Sequence, residues 1–348
     1  MTARGGIDLG GTKIQTVIVN GRGTVVAEAR RPTPRSGGPA AIVAEMAATL
    51  VEAAEANGLD PRKIDGVGVG SPGAIDAKKG TVSSARNLDD WIDPYPVARE
   101  LGKLLGGVPV AIGNDVQVAT DAEFQLGAGK PYKSVLGVFW GTGVGGGIVL
   151  DGKPWLGRGA AAEIGHIVVQ KDGAQCPCGR VGCLEAYAGR GAMEAAARSE
   201  IDGGRKSDLF QIMEKKGKER LASGVWAKAL KEGDSLAVEL VDRAIDYLAV
   251  GIASAVNLLD VEAVVLGGGM GVRFGDEYLD RLRERMLPSV FANDRPPALH
   301  VAALGDLGGA VGAALLAPSK PRRAPARRGA GGSGGSGGGG TSRSRARR

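Results

Sequence analysis

All three cysteines of the chain lie in one stretch, CPCGRVGCLE, within the eight residues from Cys176 to Cys183. A disulfide fragment, a redox centre and a metal site are the chemistries open to such a cluster. Three thiols cannot all pair within one chain, and a reducing compartment disfavours stable disulfides, so that reading starts weak. A redox pair is more usually spaced C-x-x-C, which is absent here. His166, one of only two histidines, stands ten residues before Cys176 and would complete a Cys3His set, a familiar closed tetrahedral site for zinc. Its bland alternative is a hydrogen-bonded core histidine. Gly179 and Gly182 let the chain fold back so that Cys183 can meet Cys176 and Cys178.

Three glycine turns point to phosphate. DLGGTK (Asp8 to Lys13), GTGVGGG (Gly141 to Gly147) and LGGGMG (Leu266 to Gly271) each follow a β-rich run. Without a Cβ the backbone can approach a ligand closely, and successive N–H groups in such turns can face phosphate oxygens. Any one of them alone is more often just a tight turn. None matches G-x-x-x-x-G-K-[ST] or a G-x-G-x-x-G opening a helix within a βαβ unit. Asp8 and Thr12 add a carboxylate able to hold Mg2+ and a hydroxyl able to reach a terminal phosphate; otherwise Asp8 caps a turn. IGNDV (Ile112 to Val116) follows the strand VPVAI and sets Asn114 and Asp115 where a strand ends at a cleft. By itself an Asn-Asp pair is more often a turn.

The elements that must carry these residues alternate. Residues 6–30 read as β-branched strands joined by glycine turns, followed by a helix over 40–57, a buried strand in IDGVGVG and the loop SPGAID. Ser134 to Trp155 repeat the pattern of strand, turn and hairpin. Residues 186–257 are mostly helical, with a long run from Ser235 to Leu259. VEAVVLGGGMG is a buried strand ending in glycines. A helix from about Asp276, a strand in ALHVAAL and a small-residue helix after Gly308 complete the body. Two such β-rich units imply a duplicated α/β architecture with ligands in the cleft between its halves.

The formal net charge is +6, yet nine basic residues and no acid lie from Pro318 to Arg348, which leaves the body 35 basic and 38 acidic residues, or −3. The basicity belongs to a Gly/Ser/Arg tail with too little apolar surface to order itself. It reads as a solubilising appendage, with an anionic partner as the lesser alternative. No apolar run of membrane-spanning length occurs and none at the N-terminus resembles a signal peptide, so the expected location is cytoplasmic, without a membrane partner.

In their order, DLGGTK, SPGAID, GND, GTGVGGG, EIGH, CPCGRVGCLE and LGGGMG resemble the ROK family of sugar kinases and repressors, over about residues 5–317. The resemblance implies a duplicated RNase H-like, actin/hexokinase-type fold of two lobes around a cleft. The lobes would run over 1–115 (completed by a helix at 306–317) and 116–305, followed by the tail at 318–348. It implies an ATP-dependent hexose kinase with Asp115 as general base, and Gly73, Asn87, Asn114, Asp115, Glu163, His166 and Glu185 around the sugar. The nucleotide and Mg2+ would lie on Asp8, Gly10, Gly11, Thr12, Lys13, Gly141, Thr142, Gly143, Gly267, Gly268 and Gly269. His166, Cys176, Cys178 and Cys183 would hold one structural zinc, with the other ring nitrogen of His166 on the sugar.

Glucose is the favoured sugar, because NLDDW and CPCGRVGCLEAYAG are most similar to the glucokinases of the family. N-acetylmannosamine, N-acetylglucosamine, fructose and a polyphosphate donor are the alternatives. A homodimer is the family expectation. The repressors carry a helix-turn-helix before the first motif, where only seven residues precede Asp8, so a nucleic-acid partner is not expected. Two segments depart from the family pattern: Ala162 stands where glycine is expected, and NDVQVATDAE replaces an alanine-rich helix start.

Overall fold

The computed structural model describes residues 3–85 and 87–318. The expectation of a disordered tail falls on residues beyond 318, outside those described. Val, Ile and Thr crowd two runs of sequence, and each folds into a strand, a glycine turn and an antiparallel return. The first run forms β1 (Ala3–Leu9), β2 (Lys13–Asn20) and β3 (Val25–Pro32), followed by α1 (Gly38–Glu55) and β4 (Gly66–Ser71). A short ribbon of β5 (Ala74–Asp76) and β6 (Thr81–Ser83), then α2 (Val97–Leu104), leads to β7 (Val110–Asn114) and α3 (Asp115–Leu126). The sheet order is β3-β2-β1-β4-β7, with β1, β4 and β7 parallel.

The second run repeats this plan with β8 (Val135–Trp140), β9 (Val144–Leu150) and β10 (Lys153–Pro154). A helical insertion follows: α4 (Glu185–Ala188), α5 (Arg190–Asp202), α6 (Leu209–Lys215), α7 (Ser223–Lys231) and α8 (Ser235–Leu259). Then come β11 (Ala263–Gly267), α9 (Gly268–Met286), β12 (Ala298–Val301) and α10 (Gly308–Leu316). The order β10-β9-β8-β11-β12, with β8, β11 and β12 parallel, is the first sheet's topology over again. Asp234 caps α8, its carboxylate accepting the Ala237 N–H at 2.9 Å, and the buried stripe from Leu236 to Val256 packs with Trp140 and Trp226 in the larger core.

Two readings of the sequence need correction. SPGAID is not wholly loop, since Ala74–Asp76 pairs with Thr81–Ser83. The helix expected from about Asp276 begins eight residues earlier, at Gly268, and is broken at Gly275, whose φ of 66° and ψ of −154° interrupt it. Low helical propensity in GGMG and this break conceal the first two turns.

Between the sheets lie α3 and α10, packed on one another, α10 against β1 and β4 and α3 against β9 and β8. The spacing leaves no room for side chains. A Cβ on Gly6 or Gly68 would overlap the carbonyls of Ala310 or Ala313 in α10, one on Gly312 would overlap that of Val118 in α3, and one on Gly137 or Gly147 would overlap Thr120. Substituting Gly312→Ala is therefore expected to cost at least about 2 kcal/mol, whereas Gly224→Ala in α7, which meets nothing within 4 Å, should be neutral or slightly stabilising. Denaturant unfolding of both variants checks this, and equal effects would contradict the close packing.

Candidate functional site

In an open α/β sheet, ligands lie beyond the carboxyl ends of the parallel strands. The three glycine turns singled out above sit at such ends, Gly10 to Lys13 after β1, Gly141 to Gly143 after β8 and Gly267 to Gly269 after β11, as do Gly73 after β4 and Asp115 after β7. The Gly10 N–H donates to the Lys13 carbonyl at 2.9 Å, while Thr33 ties the turn from outside, its hydroxyl donating to the Gly10 carbonyl at 2.6 Å and its N–H to the Thr12 carbonyl at 3.2 Å. The N–H groups of Gly11 and Thr12 have no acceptor among the described residues. The second turn repeats the device. Its carbonyls at Gly141, Thr142 and Gly143 accept from Arg190, Gly191 and Gly141, leaving the N–H groups of Thr142 and Gly143 for a ligand. Gly267 caps α9 without a side-chain partner, so the first N–H groups of that helix form a third donor set.

Asp8, Lys13, Asp115, Gly268, Gly269 and Phe139 line one cavity of about 220 Å³, closed on another side by Gly305, Asp306 and Gly309 at the approach to α10. Burial pushes the Asp8 carboxyl up to about 7, helped by the charge of Asp115 and opposed by Lys13. Burial likewise raises Asp115 to about 6; the Val116 N–H, donating at 2.9 Å, pulls it down and Glu163 pushes it up. These acids converge without enough cationic partners, which fits a site that receives a cation. Asn114 spends its side-chain oxygen capping α3 through Val116 and Gln117 at 3.0 Å, so its amide NH2 is what remains for a ligand. Glu185 accepts the Val144 N–H at 3.0 Å and packs against Gly143. Asn87 packs against Gly11, and Gly73, at φ 94°, fits closely over Ser83 and Ala85.

Cys176, Cys178, Cys183 and His166 offer ligand atoms that all lie within 4.8 Å of one another. Gly179 (φ 92°) and Gly182 (φ 78°) turn the chain back, and the Cys176 N–H closes the loop on the Arg180 carbonyl at 2.8 Å. The Cys178 and Cys183 sulfurs are 3.7 Å apart, far beyond a disulfide bond and close to the roughly 3.8 Å that two ligands of a tetrahedral ion with about 2.3 Å bonds must keep. His166 turns Nδ1 toward Cys176 Sγ at 3.9 Å and Nε2 toward Glu163 at 4.0 Å. The donor set therefore fits zinc, with one ring nitrogen on each side. Ala162, the departure noted beside Glu163, holds a left-handed φ of 65° that glycine adopts at lower cost.

Thr33, Glu123 and Arg190 escape a motif-based reading. Glu123 is buried in α3 and its carboxylate accepts N–H groups of Ala128, Ala303 and Leu304, at 2.9, 3.0 and 2.8 Å, anchoring the segment that leads to Gly305 and Asp306. Its signal in the sequence, an acid within an apolar helical stretch, is faint. Thr33 and Arg190 lie in loops or at a helix start, and nothing in their local sequence announces the turns they clamp.

The ROK family profile matches residues 4–320. The glucokinase of Thermotoga maritima is 33% identical over 81% of this chain and 86% of its own length. That of Streptomyces coelicolor is 34% identical over 90% of this chain and 96% of its own. The structure of a ROK family glucokinase from Streptomyces griseus in complex with glucose and AMPPNP superposes with a TM-score of 0.78 at 32% identity, covering 90% of this chain and 99% of that one. The two repeated sheets thus have the two-lobed arrangement of the actin and hexokinase fold.

Purified protein is expected to carry about one zinc per chain, and Cys178→Ser to lose it together with cooperative unfolding of the segment from Glu163 to Glu185. Elemental analysis and limited proteolysis of the two proteins test this; a metal-free wild type would reject the site.

Proposed function

The chain belongs to the ROK family, and from that premise we propose that it is an ATP-dependent hexose kinase, with glucose as the favoured acceptor and glucose 6-phosphate and ADP as products. The observation that carries this reading is the single cavity in which Asp115 meets Asp8, Lys13 and the glycine-opened start of α9. Three sets of free backbone N–H groups around a cleft suit a chain of phosphates, and a carboxylate among them suits removal of a proton from an attacking alcohol.

In the proposed reaction, the sugar's primary hydroxyl oxygen forms a bond to the γ-phosphorus while the bond from that phosphorus to the β–γ bridging oxygen breaks. Asp115 accepts the hydroxyl proton, and the bridging oxygen leaves on ADP. Lys13 and the N–H groups of Gly11, Thr12, Thr142, Gly143 and Gly268 to Met270 receive the phosphate oxygens. The sugar is oriented by the amides of Asn87 and Asn114, the carboxylates of Glu163 and Glu185, His166 Nε2 and the backbone at Gly73. Asp8 would hold Mg2+, directly or through water, and such an ion supplies charge neutralisation at the phosphates. His166, Cys176, Cys178 and Cys183 would hold zinc, which supplies a structural tie to the wall bearing Glu163 and Glu185. The reading includes a cytoplasmic enzyme feeding glycolysis and a homodimer. Leu258 and Phe291, 84% and 94% exposed, offer apolar surface for a second copy.

A coupled assay over a panel of hexoses and N-acetylhexosamines, with ATP and polyphosphate as donors, tests the assignment; activity on none of the sugars would end it. Asp115→Asn should keep sugar affinity within a few-fold and lower kcat at least about a hundredfold. Because Asp115 must be ionised to take the proton and its pKa is raised to about 6, kcat/KM for the sugar should fall as pH drops through about 6. A flat profile down to pH about 4.5, with chemistry rate-limiting, would contradict its role.

A further inference from the structure

Arg190 opens α5 directly behind the turn at Gly141 to Gly143. Its N–H donates to the Gly141 carbonyl at 3.1 Å, the next N–H, of Gly191, to the Thr142 carbonyl at 3.0 Å, and its guanidinium Nη2 to Thr142 Oγ1 at 2.7 Å. Backbone and side chain together thus bring a cation onto the residue whose own N–H is free. A guanidinium carries five N–H donors in a rigid plane, and the Thr142 hydroxyl occupies only one edge of it.

The charge has no counter-ion of its own. Among the described residues no carboxylate lies within ion-pair distance of Arg190, although burial holds its pKa below the usual arginine range. Glu194, one turn along α5, is the acid whose field it feels. That carboxylate is already engaged by Arg220 at 3.0 Å, by the Leu221 N–H at 3.0 Å and by Arg198 at 3.7 Å. The neighbouring cations Arg220 and Arg198 are both paired, on Glu194. A half-buried guanidinium that the fold leaves unpaired is costly, and an anionic ligand offsets that cost when it arrives. The first turn of α5 carries no acidic side chain to compete for such a ligand.

We propose that Arg190 is a direct ligand of the nucleotide's phosphate chain, donating to a non-bridging phosphate oxygen from the guanidinium edge that Thr142 does not use. This rests on the kinase reading given above. The phosphate turn after β8 would then differ from its counterpart after β1. There Thr33, a neutral hydroxyl, performs the clamping, and the nearby cation is Lys13 of the turn itself. Arg190 combines clamp and charge in one side chain.

The full-length chain and its Arg190→Gln and Arg190→Lys variants discriminate a phosphate ligand from a clamp that acts only on the turn. ADP binding is measured by calorimetry at low and high salt, and steady-state kinetics with ATP and glucose in parallel. Arg190→Gln is expected to weaken ADP binding and raise the KM for ATP at least about tenfold, with the KM for sugar within about twofold. It should also flatten the salt dependence of ADP binding, whereas Arg190→Lys, which keeps the charge, should retain that dependence and recover part of the affinity. ADP affinity of Arg190→Gln within about threefold of wild type, or an unchanged salt dependence, would overturn the proposal and leave Arg190 a clamp. Wild-type protein that binds ADP but phosphorylates no sugar would reject the kinase reading instead, while the ADP comparison still decides the role of Arg190.

Discussion

The distance between two acids rests on the absence of side chains elsewhere. Asp115 begins α3 and Asp8 faces the start of α10, where a Cβ on Gly309 would stand 2.8 Å from its carboxyl carbon. Because Gly6, Gly68 and Gly312 let β1, β4, α10 and α3 approach backbone to backbone, the two carboxyls share one cavity rather than lying on separate surfaces. Their mutual repulsion and shared desolvation follow from that spacing. A methyl group inserted at any of these contacts would push apart the elements that define the cleft, without touching a residue in it.

Local sequence makes much of this legible. Glycine after a β-branched strand is a strong local signal, and the pairing of β1 with β2 and of β8 with β9 follows from it. The Cys3His set is equally plain, since its four members span eighteen residues of chain and the two glycines between Cys178 and Cys183, Gly179 and Gly182, occupy the positive φ values that the turn-back requires. What local sequence conceals is long-range pairing. Thr33 clamps a turn more than twenty residues earlier, Glu123 anchors amides some 180 residues away, and Arg190 reaches Thr142 across 48 positions. The early start of α9 is hidden for a different reason: its glycines oppose helix by propensity, and the first of them, Gly268, stands where a Cβ would overlap the Trp140 backbone at the end of β8.

The site also concentrates unfavourable terms. Asp8, Asp115 and Glu163 crowd their charges, Arg190 lacks a counter-ion among the described residues, and Ala162 holds a left-handed backbone beside Glu163. Elsewhere the fold satisfies its groups closely, with Thr16 Oγ1 the sole buried side-chain polar atom lacking a partner among the described residues. Two desolvated carboxyls crowded into one cavity, at Asp8 and Asp115, are what a preorganised receptor for charged ligands requires.

The repeated sheets invite comparison of equivalent positions. Asp8 is the penultimate residue of β1, and Phe139 is the penultimate residue of β8; both line the same cavity. One copy of the plan places an anion there and the other an aromatic ring. A pseudo-symmetric receptor with matching walls would accept an elongated polyanion in either sense. Setting a carboxylate against a hydrocarbon face at related positions removes that degeneracy, so the walls that the two halves contribute to one cavity differ in charge although they come from the same plan.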